Sequence, residues 1–182
     1  MNAGERQLIE RRRRGLTAHN LGVRVLVSYA HRDPPLFRDS LVSLLRWPSV
    51  SVTVWTDENI MPGSVPDQQI RAELEQMHIF VALITPFFDA SSYIQQVEVP
   101  IARRRNKKGE VLIAPVVVSH PGGTNCAWLL SLERLPHKHK SWAEIRRDSL
   151  VSGCYDEALQ PLRDGVWKLV EQVRNRREGV CS

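Results

Sequence analysis

Apolar positions along this chain fall into two alternating patterns. Short runs with few polar residues are separated by stretches in which apolar residues recur every three or four positions. The runs Val23–Val27, Ser51–Trp55, Ile79–Ile84 and Val111–Val118 predict strands; the third is unbroken and the fourth is interrupted only by Pro115. Between the first two, Leu36, Phe37, Leu41, Leu44 and Leu45 predict a helix that ends before Pro48. Asp33 is placed to cap it, with proline in its first turn. Ile70, Leu74 and Met77 line one side of a second, short helix. A third is predicted over Tyr93–Arg105 from Val97 and Ile101, although Pro100 stands against a regular helix there. The last runs from Asp156 to Arg174, with Leu159, Leu162, Val166, Leu169, Val170 and Val173 as its stripe and Trp167 beside it. Pro62, Gly63 and Pro66 make 57–67 a loop, and 120–135 is a long connection opened by Pro121-Gly122-Gly123.

The order β-α-β-α-β-α-β, a long loop, then a helix predicts an α/β fold. Nearly continuous apolar strands separated by helices belong to a parallel sheet covered on both faces, and right-handed crossovers make it doubly wound. Ligands in that architecture bind beyond the carboxyl ends of the strands. Here those ends are the segments after Val27, Trp55 and Ile84.

Composition narrows the class. The 182 residues are 42% hydrophobic and 25% charged, which fits a globular domain with a sizeable core and excludes global disorder. The net charge of +5 suggests an anionic partner, yet residues 1–22 alone carry Arg6 and Arg11–Arg14 against Glu5 and Glu10. Most of the excess thus lies in a basic polar leader, helical or loosely held, and little remains for the fold. The basic end of the third helix, Arg103 to Lys108, suits a helix C-terminus and has no interleaved aromatics, so direct nucleic-acid binding is not expected. Cys126, Cys154 and Cys181 are odd in number and widely spaced, which argues against disulfides and zinc. His137-Lys138-His139 has a conceivable metal spacing without supporting carboxylates or cysteines, so no metal is expected. No apolar run is long enough to span a membrane and no secretory h-region precedes the first strand, so the expected location is cytoplasmic.

No Gly-rich phosphate loop and no G-x-S-x-G elbow is present. What the strand ends carry is an ordered set of boxes: Val25-Leu-Val-Ser-Tyr29 followed by Asp33; Val54-Trp55, Asp57, Ile60 and Pro62-Gly63; and Ile84-Thr-Pro86, then Ser91-Ser-Tyr93 and Glu98. In this order and spacing they resemble the TIR (Toll/interleukin-1 receptor homology) domain in its bacterial style, over about Val23 to Val173. The domain is drawn as 23–175, with 176–182 as a tail.

The resemblance implies a flavodoxin-like, five-stranded parallel sheet. It further implies either cleavage of NAD at the nicotinamide–ribose bond, in immune (anti-phage) defence or in making an ADP-ribose-derived signal, or a purely adaptor role through TIR–TIR self-association. NAD enters as substrate and no cofactor is implied. Glu98 matches the catalytic glutamate; by its residues alone it is equally a solvated helix position paired with Arg103 or Arg104. Ser28 and Tyr29 match residues lining the nicotinamide and ribose pocket, and otherwise satisfy a strand end and pack. Arg32 could face a phosphate or is simply an exposed arginine, and Asp57 matches the loop aspartate or is a turn residue. Active members often stack an aromatic, usually Trp, four positions before the glutamate. Ile94 stands there and Tyr93 just before it, so Tyr93 either supplies the stacking or only packs. Ile60, Pro62 and Gly63 shape the BB loop, which in the family gates the site and inserts into a neighbouring TIR domain; Gly63 is expected at positive φ. A homo-oligomer follows, and because no sensing domain fits beside a TIR fold in this length, a separate sensor or effector protein is expected.

Overall fold

The four predicted strands form one all-parallel sheet. In the computed structural model, which describes residues 22–45, 52–136, 140–152 and 155–179, its order is β2-β1-β3-β4. The strands are β1 (Val23–Ser28), β2 (Val52–Trp55), β3 (Ile79–Ile84) and β4 (Leu112–Val117). The helices are α1 (Pro35–Leu45), α2 (Pro66–Gln76), α3 (Pro86–Ala90), α4 (Val99–Lys107), α5 (Ala127–Leu130), α6 (Trp142–Ser152) and α7 (Tyr155–Gly179). The basic leader, apart from Gly22, and the 137–139, Cys154 and Cys181 positions lie outside the described residues. Among the described residues no helix is long and apolar enough to cross a membrane.

Burial follows position in the sheet. Central β3 is buried at every residue and β1 at all but Arg24, whereas edge strand β2 is only partly covered. Because successive side chains alternate between faces, Val23, Val25 and Val27 join Ile79, Val81 and Leu83 in one core, closed by α1, α6 and α7. Leu26, Phe80, Ala82 and Ile84 face a second core closed by α2, α3, α4 and α5. The stripe of α7 packs as its spacing predicts: Leu162, Val166, Val170 and Val173 are buried, and Leu159, Leu169 and Trp167 pack partly against them. Pro115 is tolerated because β4 is an edge strand, where a missing N–H breaks no ladder on the open side.

Among the described residues the sheet has four strands, where the family implies five. Among the described residues the place beside β4 holds a single bridge, Val116 to Leu135, in which Leu135 donates to Pro115 O (2.7 Å) and accepts from Val117 N–H (2.8 Å). Pro136 follows with no N–H to extend that ladder. Two other differences are helical. The second helix begins at Pro66 rather than Ile70, because Pro66 is accepted in a first turn. The long connection contains α5 and is followed by the unpredicted α6, whose start is held by Ser141 and Glu144: Ser141 N–H donates to Glu144 Oε2 (2.7 Å) and Glu144 N–H to Ser141 Oγ (3.4 Å).

One buried cation fastens the second core. Arg105 of α4 donates to Leu74 O (2.6 Å) and Met77 O (3.1 Å) at the end of α2, where carbonyls lack helical partners, and pairs with Glu110 at 3.0 Å. Replacing it with methionine, Arg105→Met, keeps the stem but leaves two buried carbonyls unsatisfied. Urea denaturation is expected to show a loss of about 2–3 kcal/mol; a change within about 0.5 kcal/mol, the range of ordinary surface substitutions, would show that the contact adds nothing.

Candidate active site

Pro100 decides how the segment after β3 winds. Proline has no N–H to offer the fourth carbonyl back, and its ring crowds that carbonyl. The chain absorbs this by widening: Ile94–Glu98 forms one π-helical turn, closed by Val99 N–H donating to Ile94 O, and α4 starts immediately after it. The wide turn sets Ile94 and Glu98 along one side, both on the cleft at the carboxyl ends of the strands, while Ile101 and Ala102 face the second core. The cleft has a volume of about 720 Å³, within the range of small-molecule sites. It sits where the chain, having built β2 on one side of β1, crosses to build β3 on the other.

Glu98 is the residue whose electrostatics are most altered. Its Oε2 accepts a hydrogen bond from Ser28 Oγ, so the end of β1 holds it from below. Burial pushes its pKa from an ordinary 4.5 to about 7; the Ser28 bond opposes this, the negative charge of Asp57 adds to it, and His31 opposes it. The alternative of a solvated Glu98 paired with Arg103 or Arg104 is not what the fold provides. Arg104 pairs with Glu75, and the Arg103 guanidinium lies over the Trp128 ring, 5.1 Å from its centroid.

The other cleft residues are tied to one another. Tyr29, at the end of β1, donates its phenol to Asp57 Oδ1 and accepts from Arg38 Nη1 (2.9 Å), whose guanidinium also lies over the tyrosine ring. Burial, and then the bond to Asp57, holds the Tyr29 phenol well above its ordinary pKa, so it stays a neutral donor. Asp57 Oδ2 meets His31 Nε2 at 2.5 Å, so each of its two oxygens has a partner. Tyr93 lines the cleft, but its hydroxyl donates to Asp67 Oδ1 at the start of α2 (2.8 Å), and burial followed by that bond pushes its pKa up to about 12. Ile94 supplies an aliphatic wall with no ring to stack. Arg32 is exposed at the rim, its guanidinium 4.8 Å from the centroid of Phe87. Asp33, expected to cap α1, instead accepts from Thr85 Oγ1 (2.8 Å), and Thr85 caps α3 through Phe88 N–H (3.0 Å).

Ser28, Tyr29, Arg32, Asp57, Tyr93, Ile94 and Glu98 are thus gathered at one set of strand ends. Ile60, Pro62 and Gly63 do not line the cleft; the 57–67 segment reaches it at its two ends, through Asp57 and through Val65, Pro66 and Asp67. Gly63 takes the expected positive φ, +85°, and the loop is tied to α2 by Gln69, which accepts from Met61 N–H (3.1 Å) and bonds Ser64 Oγ (2.8 Å). Two residues around the site carried no sequence signal: His31, which lines the cleft next to the first box, and Arg38, one turn into α1 and bonded to Tyr29. His31 meets Asp57, which is distant in sequence and brought near only by the fold, while Arg38 meets Tyr29 across the turn from β1 to α1.

Folded Glu98 takes up a proton at higher pH than the unfolded chain does. Between about pH 4.5 and 7 the folded state therefore binds more protons, and stability falls as pH rises through that window. Glu98→Gln, which still accepts from Ser28 and has no charge to bury, escapes the fall. Urea denaturation across pH is expected to show the variant gaining on the parent up to about 2–3 kcal/mol by pH 7 and above. A difference that does not change with pH would mean that the carboxyl is not desolvated.

The TIR domain family matches residues 25–158, more than half of the chain, and all four strands fall within or at the edge of that match. No curated protein matches the chain. With the ordered boxes at the strand ends and the doubly wound parallel sheet that carries them, the chain belongs to the TIR domain family.

Proposed function

We propose that this TIR domain cleaves NAD between nicotinamide and ribose, with Glu98 as the catalytic carboxylate. The observation that carries this is a desolvated carboxyl, bonded by Ser28, opening on a cleft at the strand ends. Glycosidic cleavage passes through an oxocarbenium-like state, and a carboxylate kept out of water stabilises the developing cation more strongly than one in solvent. NAD needs no second carboxylic acid, because the C1′–N1 electron pair departs on a pyridinium nitrogen that becomes neutral. The cationic nicotinamide ribosyl group also favours ionised Glu98 as it binds, so a carboxyl poised near neutrality in the free protein becomes the anion that the reaction uses. Tyr29 and Asp57 form one wall, and Arg32 supplies a positive charge at the rim suited to a diphosphate.

Self-association is the second part of the proposal. Met61 and Val65 are 67% and 54% exposed on the BB loop, a surface fitted to another copy or to a separate TIR partner. The same observation supports a purely adaptor role if the cleft proves inert.

Nicotinamide release from NAD, measured with the protein concentrated enough to assemble, tests the reading. The parent is expected to release nicotinamide, and Glu98→Gln to lose at least about 100-fold. Equal rates would remove Glu98 as the catalyst, and no release by the assembled parent would leave the adaptor role. Mass spectrometry of the second product separates hydrolysis from cyclisation or conjugation.

A further inference from the structure

We infer that His31, held by Asp57, is the general base that activates the attacking water once nicotinamide has left; the inference rests on the NAD-cleaving reading of the same cleft. His31 lines that cleft, and its Nε2 lies 2.5 Å from Asp57 Oδ2. Asp57 is itself fixed from the other side by the Tyr29 hydroxyl, which Arg38 holds in turn. A carboxylate fixed in this way selects the imidazole tautomer with its proton on Nε2 and leaves Nδ1 as a proton acceptor.

The two ends of this pair differ in exposure as a proton relay requires. The His31 side chain is 78% exposed and that of Asp57 is 18% exposed, so the ring can pass a proton to solvent while its anchor stays in place. Asp57, which His31 contacts, lines one small recess with Tyr29 and Glu98, so the pair stands at the same end of the cleft as the carboxylate that faces the sugar. The other charged or titratable groups around that cleft are Tyr29, Arg32, Asp67 and Tyr93, and Tyr29 and Tyr93 spend their hydroxyl protons on Asp57 and Asp67. His31 is therefore the exposed cleft group with a ring nitrogen left to accept a proton.

The step balances without any other reactant. The C1′–N1 bond breaks with its electron pair on nicotinamide, and water oxygen forms the new bond to C1′. One water proton passes to His31 Nδ1 and then to solvent, with the imidazolium paired to the Asp57 carboxylate in between. Glu98 stabilises the cation and His31 serves the nucleophile.

A competing nucleophile that has no proton to lose separates these roles. With a substituted pyridine added to the NAD reaction, the parent is expected to give both ADP-ribose and the exchanged dinucleotide. His31→Gln keeps the polar contact to Asp57 but cannot take a proton. It is expected to lower hydrolysis about 100-fold relative to exchange, with the exchange rate itself within a few-fold of the parent. Asp57→Asn is expected to shift the ratio in the same direction, and Glu98→Gln to depress both products together. Nicotinamide release with an unchanged product ratio in His31→Gln would overturn this assignment alone. No nicotinamide release by the parent, with or without pyridine, would overturn the NAD-cleaving reading and this assignment with it.

Discussion

The place of Glu98 depends on a hydrogen bond that the chain cannot make. Pro100 withholds one N–H from a helix that would otherwise continue from Ser92 to Lys107, and the loss is absorbed upstream as one wide turn. An extra residue in that turn rotates every side chain around it. Ile94 and Glu98 come to the cleft, while Val99, Ile101 and Ala102 keep α4 on the second core. The site is thus set by a local backbone defect and anchored by tertiary packing, with Arg105 capping α2 from the far end of the same helix.

Around that carboxyl the fold arranges two kinds of polar group. Ser28 donates to Glu98 directly and favours its anion, while burial and Asp57 favour the neutral acid. The balance leaves the group near neutrality, sensitive to any charge brought into the cleft. Asp57 is ringed by Tyr29 and His31, so it orients its neighbours. Tyr93 is similarly committed to Asp67, tying the turn before Glu98 to the start of α2 and so to the loop that carries Met61 and Val65.

Most of the fold was legible because its strands are strongly patterned. Val23–Val27 and Ile79–Ile84 are nearly continuous apolar runs, as strands buried on both faces must be, and the stripe of α7 repeats through several turns. Elements with little apolar pattern were not found that way. Helix α6 has apolar residues that do not gather into one clear stripe; its signal is the Ser141-x-x-Glu144 capping box, a local hydrogen-bonding motif. Among the described residues the fifth strand implied by the family is represented by a bridge at Leu135, and Pro136 has no N–H to continue that ladder. Within the site, Ser28, Tyr29 and Glu98 stand at strand ends or in boxes and were identifiable. The π turn needed knowledge of how Pro100 is absorbed. His31 needed the long-range pairing that brings β1 beside β2, which no local pattern encodes, and Arg38 needed the turn that folds α1 back over Tyr29.

The account stands on one physical property, a Glu98 carboxyl desolvated at the strand ends and poised near neutrality. Carbon-13 NMR of glutamate-labelled protein, with the Glu98 carboxyl resonance assigned by its loss in Glu98→Gln, measures it directly. A titration midpoint near pH 7 in the free protein is the predicted result. A midpoint in the ordinary carboxylate range, about 4 to 5, would contradict it, since a carboxyl that titrates as it does in water is neither buried nor prepared to meet a developing cation.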